Sequence, residues 1–114
     1  MAFYRCGSGG GTLFEYICIF NDDTTKSYIT VLDSKTQKLV QQTTTSSYTW
    51  NHDGLKIVLT RSDQKARITP PSGKALQYIN FNNGGVGTLT KLAVNATLTT
   101  NAPVFGNVVL LGYA

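Results

Sequence analysis

Apolar and polar side chains alternate along most of this chain with a period of two, and no window sustains the 3.6-residue period of an amphipathic helix. The clearest stretch spans 75–113. Ala75-Leu76-Gln77-Tyr78-Ile79-Asn80-Phe81 runs into Asn82-Asn83-Gly84-Gly85, a strong hairpin signal, and a longer run over 88–100 follows. Within it Leu92, Val94, Ala96 and Leu98 share one parity, with Lys91, Asn95, Thr97 and Thr99 on the other. That alternation predicts a single half-buried strand. Asn101-Ala102-Pro103 closes it, and an apolar run over 104–113 ends the meander.

The earlier part of the chain adds more sheet. Residues 13–20 are apolar on nearly both faces, as in a strand buried on both sides or covered by another subunit. Asn21-Asp22-Asp23 turns into a strand over 27–32, Asp33-Ser34 turns again, and a weaker strand follows near 38–42. Residues 43–47 are hydroxyl-bearing, which fits an edge strand or an exposed loop. Tyr48-Thr49-Trp50 precedes Asn51-His52-Asp53-Gly54, a hairpin turn, and 55–60 alternates with Leu55, Ile57 and Leu59 inward. A further strand over 66–69 ends at Pro70-Pro71-Ser72-Gly73, which forbids pairing. About eight or nine strands spaced by roughly 10–12 residues predict an all-β fold. A single antiparallel β-sandwich over 13–114, with a jelly roll as one candidate arrangement, is preferred to a closed barrel. Residues 1–12 are expected to form a flexible glycine-rich arm, because glycine loses the most backbone freedom on ordering.

Composition narrows the function classes. The chain has 114 residues, one domain's worth, with 41% hydrophobic and 14% charged residues. Its net charge of +4 is scattered, apart from a loose set of Lys56, Arg61, Lys65 and Arg67, so a nucleic-acid footprint is not expected. No window is apolar enough for a membrane span, and no basic head precedes a long apolar stretch. A soluble chain without a signal peptide is the expectation. Cys18 sits in an apolar run and reads as a small buried hydrophobe; Cys6 is either free or bridged to it, with reduced thiols preferred.

Candidate chemistry is sparse. His52 is the only histidine, adjacent residues on a turn are expected to point apart, and no Gly-x-Ser-x-Gly elbow is present. No paired carboxylates are set up for acid–base work, so no enzyme and no catalytic residue is expected. The glycine run at 7–11 lacks the Lys of a phosphate-binding loop. One His and two separated Cys do not match zinc spacing, and Asn21, Asp22 and Asp23 read as a polar turn before they read as a calcium site. No metal or cofactor is expected. Asn95-Ala96-Thr97 matches a glycosylation sequon but falls in the middle of the predicted strand. The most suggestive group is Tyr48, Trp50 and His52, which share a strand face and with Asp53 could stack on and hydrogen-bond a sugar. The competing reading, a core tryptophan, is the more common use of a single Trp in a sandwich.

The opening Met-Ala-Phe-Tyr-Arg-Cys-Gly-Ser-Gly-Gly-Gly-Thr resembles the starts of small tail-region proteins in phages and prophages of Gram-positive bacteria. The body, rich in Thr, Asn and Gly, is similar in composition to the β modules of tail fibres, baseplates and head decorations. The resemblance carries no catalytic residue. It implies a virion component, found in the virion or in the host cytoplasm before assembly. Such a part would form a homo-oligomer, a trimer being common, and would contact other virion proteins and a cell-surface glycan. Phe3, Tyr4, Phe14 and Tyr16 are the candidate subunit contacts.

Overall fold

The computed structural model describes residues 14–82 and 86–114. Among the described residues, ten strands form two antiparallel sheets. They are β1 (Tyr16–Asp22), β2 (Ser27–Asp33), β3 (Lys38–Thr44), β4 (Ser47–His52) and β5 (Leu55–Thr60), then β6 (Lys65–Thr69), β7 (Ala75–Asn82), β8 (Leu89–Val94), β9 (Leu98–Asn101) and β10 (Asn107–Tyr113). The larger sheet has the order β3-β2-β1-β10-β7-β8, and the smaller β4-β5-β6-β9. Two meanders, β1–β2–β3 and β4–β5–β6, thus lie in different sheets, and the last strand returns to the middle of the larger one. Among the described residues both sheets keep open edges, which makes the fold a sandwich and not a closed barrel.

The alternation read from the sequence decides which side chains meet between the sheets. Tyr16, Cys18 and Phe20 of β1, Ile29 and Val31 of β2, and Val109 and Leu111 of β10 face Trp50, Leu55, Ile57, Leu59, Ala66 and Ile68 of the smaller sheet. All are buried. Burying an aliphatic or aromatic side chain of this size contributes about 1.5–3 kcal/mol, which makes this interface the main stabilising element. Cys18 is a free thiol at its centre, and burial raises its pKa well above the ordinary value.

The opposite face of the larger sheet is apolar too. Leu39, Leu32, Ile17, Leu110, Ile79 and Leu89 are paired neighbours from β3 through β2, β1, β10 and β7 to β8. At a strand spacing of about 4.8 Å, this row runs some 24 Å across the sheet. A second row joins Ile19, Val108 and Phe81. Phe14, Ile79 and Leu110 are buried there as a small separate cluster, with Ile17 and Phe81 against it. Towards the sheet edges Leu39 and Leu89 are 53% and 44% exposed, and Ile19 is 39% exposed.

One predicted element is corrected. The run 88–100 is two strands in different sheets, with β8 on the edge of the larger and β9 on the edge of the smaller. Asn95 breaks it by adopting φ 68°, a left-handed conformation that Asn tolerates. Its side-chain oxygen accepts the Gly73 N–H at 2.7 Å, and its own N–H donates to the Lys74 carbonyl at 2.9 Å. A tertiary contact thus overrides the local pattern. Val94, expected inside, is 58% exposed, and the sequon lies on a turn and not mid-strand. The arm over 1–12 and part of the hairpin turn, Asn83-Gly84-Gly85, lie outside the described residues. Replacing Asn95 by Val distinguishes the two arrangements by sign. A continuous strand would gain up to about 1 kcal/mol from a β-branched residue. The observed turn should instead lose about 2 kcal/mol, from strain and the missing bond to Gly73, measurable as a lower urea midpoint.

Candidate functional site

Two aspartates continue the inward parity of their strands and end up beneath the opposite sheet. On β1 the series Tyr16, Cys18, Phe20 leads to Asp22; on β2 the series Ile29, Val31 leads to Asp33. Asp22 and Asp33 are 2% and 3% exposed. A carboxylate in such a place must be hydrogen-bonded or paired. Because β1 and β2 are antiparallel, with Tyr16 opposite Asp33 and Asp22 opposite Ser27, the two acids mark opposite ends of the sandwich.

At the first end, Asp22 accepts the Ser27 hydroxyl at 2.6 Å, the Gln64 amide at 2.5 Å and the Arg61 guanidinium. Arg61 and Gln64 belong to the β5–β6 turn, so this group ties the sheets together. Arg61 also donates to the Thr24 carbonyl at 2.8 Å. Asp23 is turned away: it accepts the backbone N–H groups of Lys26 and Thr25, which hold its carboxyl down to about 2. Asn21, Asp22 and Asp23 therefore do not converge as a calcium cradle would require.

The second end is built by the β4–β5 hairpin. Asp53 and Gly54 take φ 49° and 84°, the double left-handed geometry of a two-residue turn, and His52 pairs with Leu55 across it. Tyr48, Trp50 and His52 do share one face, but it is the inner one. Trp50 is 5% exposed, edge-on to Tyr16 at 5.9 Å between ring centroids. Its ring offers no open surface for a pyranose. His52, half-buried, lies 5.3 Å from Trp50 and 6.3 Å from Tyr16 between centroids. Its Nε2 is 2.6 Å from Asp33 Oδ2 in the other sheet. The same nitrogen is 3.4 Å from Asp53 Oδ2, so the adjacent pair that was expected to diverge converges. The positive φ at Asp53 is the reason, because it turns that side chain back over the hairpin.

Asp33 is held from its other side by the Lys35 and Thr36 N–H groups at 2.9 and 3.1 Å. Burial alone would raise its pKa; the bonds from Thr36, His52 and Lys35 outweigh it and hold the carboxyl below the ordinary value. The phenols of Tyr16 and Tyr113 behind this group are both raised, chiefly by burial, and stay neutral. The candidate subunit contacts are corrected: Phe14 and Tyr16 are 2% and 4% exposed inside a single chain, one in the outer cluster and one in the inter-sheet core. Phe3 and Tyr4 lie outside the described residues. Sequence reading took Asp22 and Asp33 as turn residues, Asp22 with calcium as the lesser alternative, although an acid continuing an apolar parity was the signal that could have shown them buried.

No protein-family model, curated protein or solved structure matches this chain. Among the described residues no helix is long and apolar enough to cross a membrane.

A carboxyl whose folded pKa lies below its unfolded value stabilises the fold above that unfolded value, near pH 4, and loses this contribution as pH falls through the lower folded value. Asp33→Asn should therefore cost about 2 kcal/mol at neutral pH, the size of a bond to a charged group. The gap from the unmodified protein should narrow progressively as pH falls below the unfolded value, followed by urea unfolding. A gap independent of pH would contradict this role for Asp33.

Proposed function

We propose that this chain is a non-enzymatic structural and interaction protein that assembles with copies of itself through the outer face of its larger sheet. The observation that carries this reading is the apolar row Leu39–Leu32–Ile17–Leu110–Ile79–Leu89, whose two ends are exposed while its middle is buried. The open ends of the row leave apolar side chains on both flanks of one sheet face, and grouped exposed hydrophobes mark an interaction surface where single scattered ones do not. Tyr28 at 36% exposed and Ile19 extend it along β2 and β1. A second copy supplies the same open flanks, so a symmetric pairing can cover them on both copies at once.

The place of such an assembly is a phage or prophage particle, as a tail, baseplate or decoration component. The opening residues 1–12 and the hydroxyl- and amide-rich body support that affiliation through their resemblance to such parts. The rival reading, a carbohydrate-binding module built on Tyr48, Trp50, His52 and Asp53, needs an open tryptophan ring, and the burial of Trp50 weighs against it. Glycan contact by the assembled particle is thereby left to other surfaces.

Sedimentation equilibrium over a wide concentration range tests the reading. The expected mass is a multiple of the 12.4 kDa chain. Leu39→Lys, at an exposed position in the row, should weaken association by about tenfold or more, equivalent to some 1.4 kcal/mol, with the circular-dichroism spectrum unchanged. A strict monomer at all concentrations would overturn it.

A further inference from the structure

We infer that Asp33, His52 and Asp53 form a binding site for one divalent transition-metal ion of the zinc class. The three donor atoms, one imidazole nitrogen and two carboxylate oxygens, lie within 4.8 Å of one another. A latch between the sheets needs only Asp33 and His52. Asp53 brings a second carboxylate to the same nitrogen, and among the described residues the ion pairs of both acids are with His52 alone. One imidazole proton can bridge to only one of them at full strength. A divalent cation satisfies all three donors and balances the two carboxylate charges.

One donor spacing already matches such an ion, and a second needs a small adjustment. Four-coordinate binding at about 2.0–2.1 Å places donor atoms roughly 3.3 Å apart. His52 and Asp53 already stand at 3.4 Å. Asp33 and His52, at the 2.6 Å of a hydrogen bond, must part by about 0.7 Å once the metal replaces the bridging proton, which leaves to solvent. Each donor is steadied from behind. The Lys35 and Thr36 N–H groups hold the other oxygen of Asp33, Trp50 and Tyr16 flank the imidazole, and the hairpin backbone fixes Asp53. Asp53 is exposed, which leaves a way in for the ion and a coordination position for water. An imidazole with two carboxylates suits zinc and its neighbours; calcium and magnesium favour all-oxygen sets with more ligands. Because Asp33 belongs to the larger sheet, His52 to the smaller and Asp53 to the turn that follows it, the ion would fasten the two sheets together at this end.

The test is titration of the full chain with zinc, followed calorimetrically and through the ring signals of His52, which NMR reads without ambiguity because the chain has one histidine. One ion per chain should bind, the imidazole signals should shift with it, and calcium should bind far more weakly. Asp53→Asn is the decisive variant: Asn is at ease at positive φ, so the hairpin survives while a charged ligand is lost, and zinc affinity should fall by about tenfold or more. Cys6→Ser controls for a thiol elsewhere in the chain and should leave binding unchanged. Absence of binding, undiminished affinity in Asp53→Asn, or loss of binding in Cys6→Ser would each overturn the assignment.

Discussion

Along β1 and β10, the two central strands of the larger sheet, apolar side chains point both ways. Tyr16, Cys18, Phe20, Val109 and Leu111 go inward, while Ile17, Ile19, Val108 and Leu110 go outward. An antiparallel sheet can face water on one side, and a sheet that is apolar on both cannot do so cheaply. The smaller sheet covers the inner face of these two strands. On the outer face the covering is local: Phe14 and the approach of the 86–88 segment bury its middle, and a Cβ at Gly87 would stand 2.4 Å from an Ile79 methyl. The flanks stay open. The fold, and the assembly proposed for the outer face, therefore rest on one constraint applied to two faces of the same strands.

How the sheets sit on each other is set by polar groups at the margins of the apolar contact. Asp22 with Arg61 and Gln64 closes one end, and Asp33 with His52 closes the other. A third tie is neutral: Thr100 of the smaller sheet accepts the amides of Asn80 and Asn107 at 2.8 and 2.7 Å. Replacing any one partner leaves a buried polar group unsatisfied, which is why such pairs define relative position more than they add net stability. The hydrophobic contact is non-directional, so it would tolerate sliding; these ties remove that freedom.

The sequence was informative wherever local pattern and tertiary demand agreed. The alternation of 55–60 and the Asp53-Gly54 hairpin were readable, because each is decided within a few residues, whereas for Trp50 the pattern allowed both a glycan-facing and a core reading. The break at Asn95 was hidden, since Leu92, Val94, Ala96 and Leu98 keep one parity and only contacts with Gly73 and Lys74 impose the turn. The meeting of Asp33 with His52 was hidden for a similar reason. It joins residues 19 apart on different sheets, and strand order cannot be deduced from periodicity. Asp53 was misjudged because a single positive φ reverses where its side chain points.

Hydroxyl-radical footprinting across a concentration series tests the two-face account most directly, because it reads the exposure of individual side chains. The account predicts that Leu39, Ile19 and Leu89 react readily in dilute solution and become protected together as concentration rises, while Leu55 and Ile57 are protected throughout. Equal reactivity of the outer row at every concentration would contradict it, as would protection that appears elsewhere on the surface.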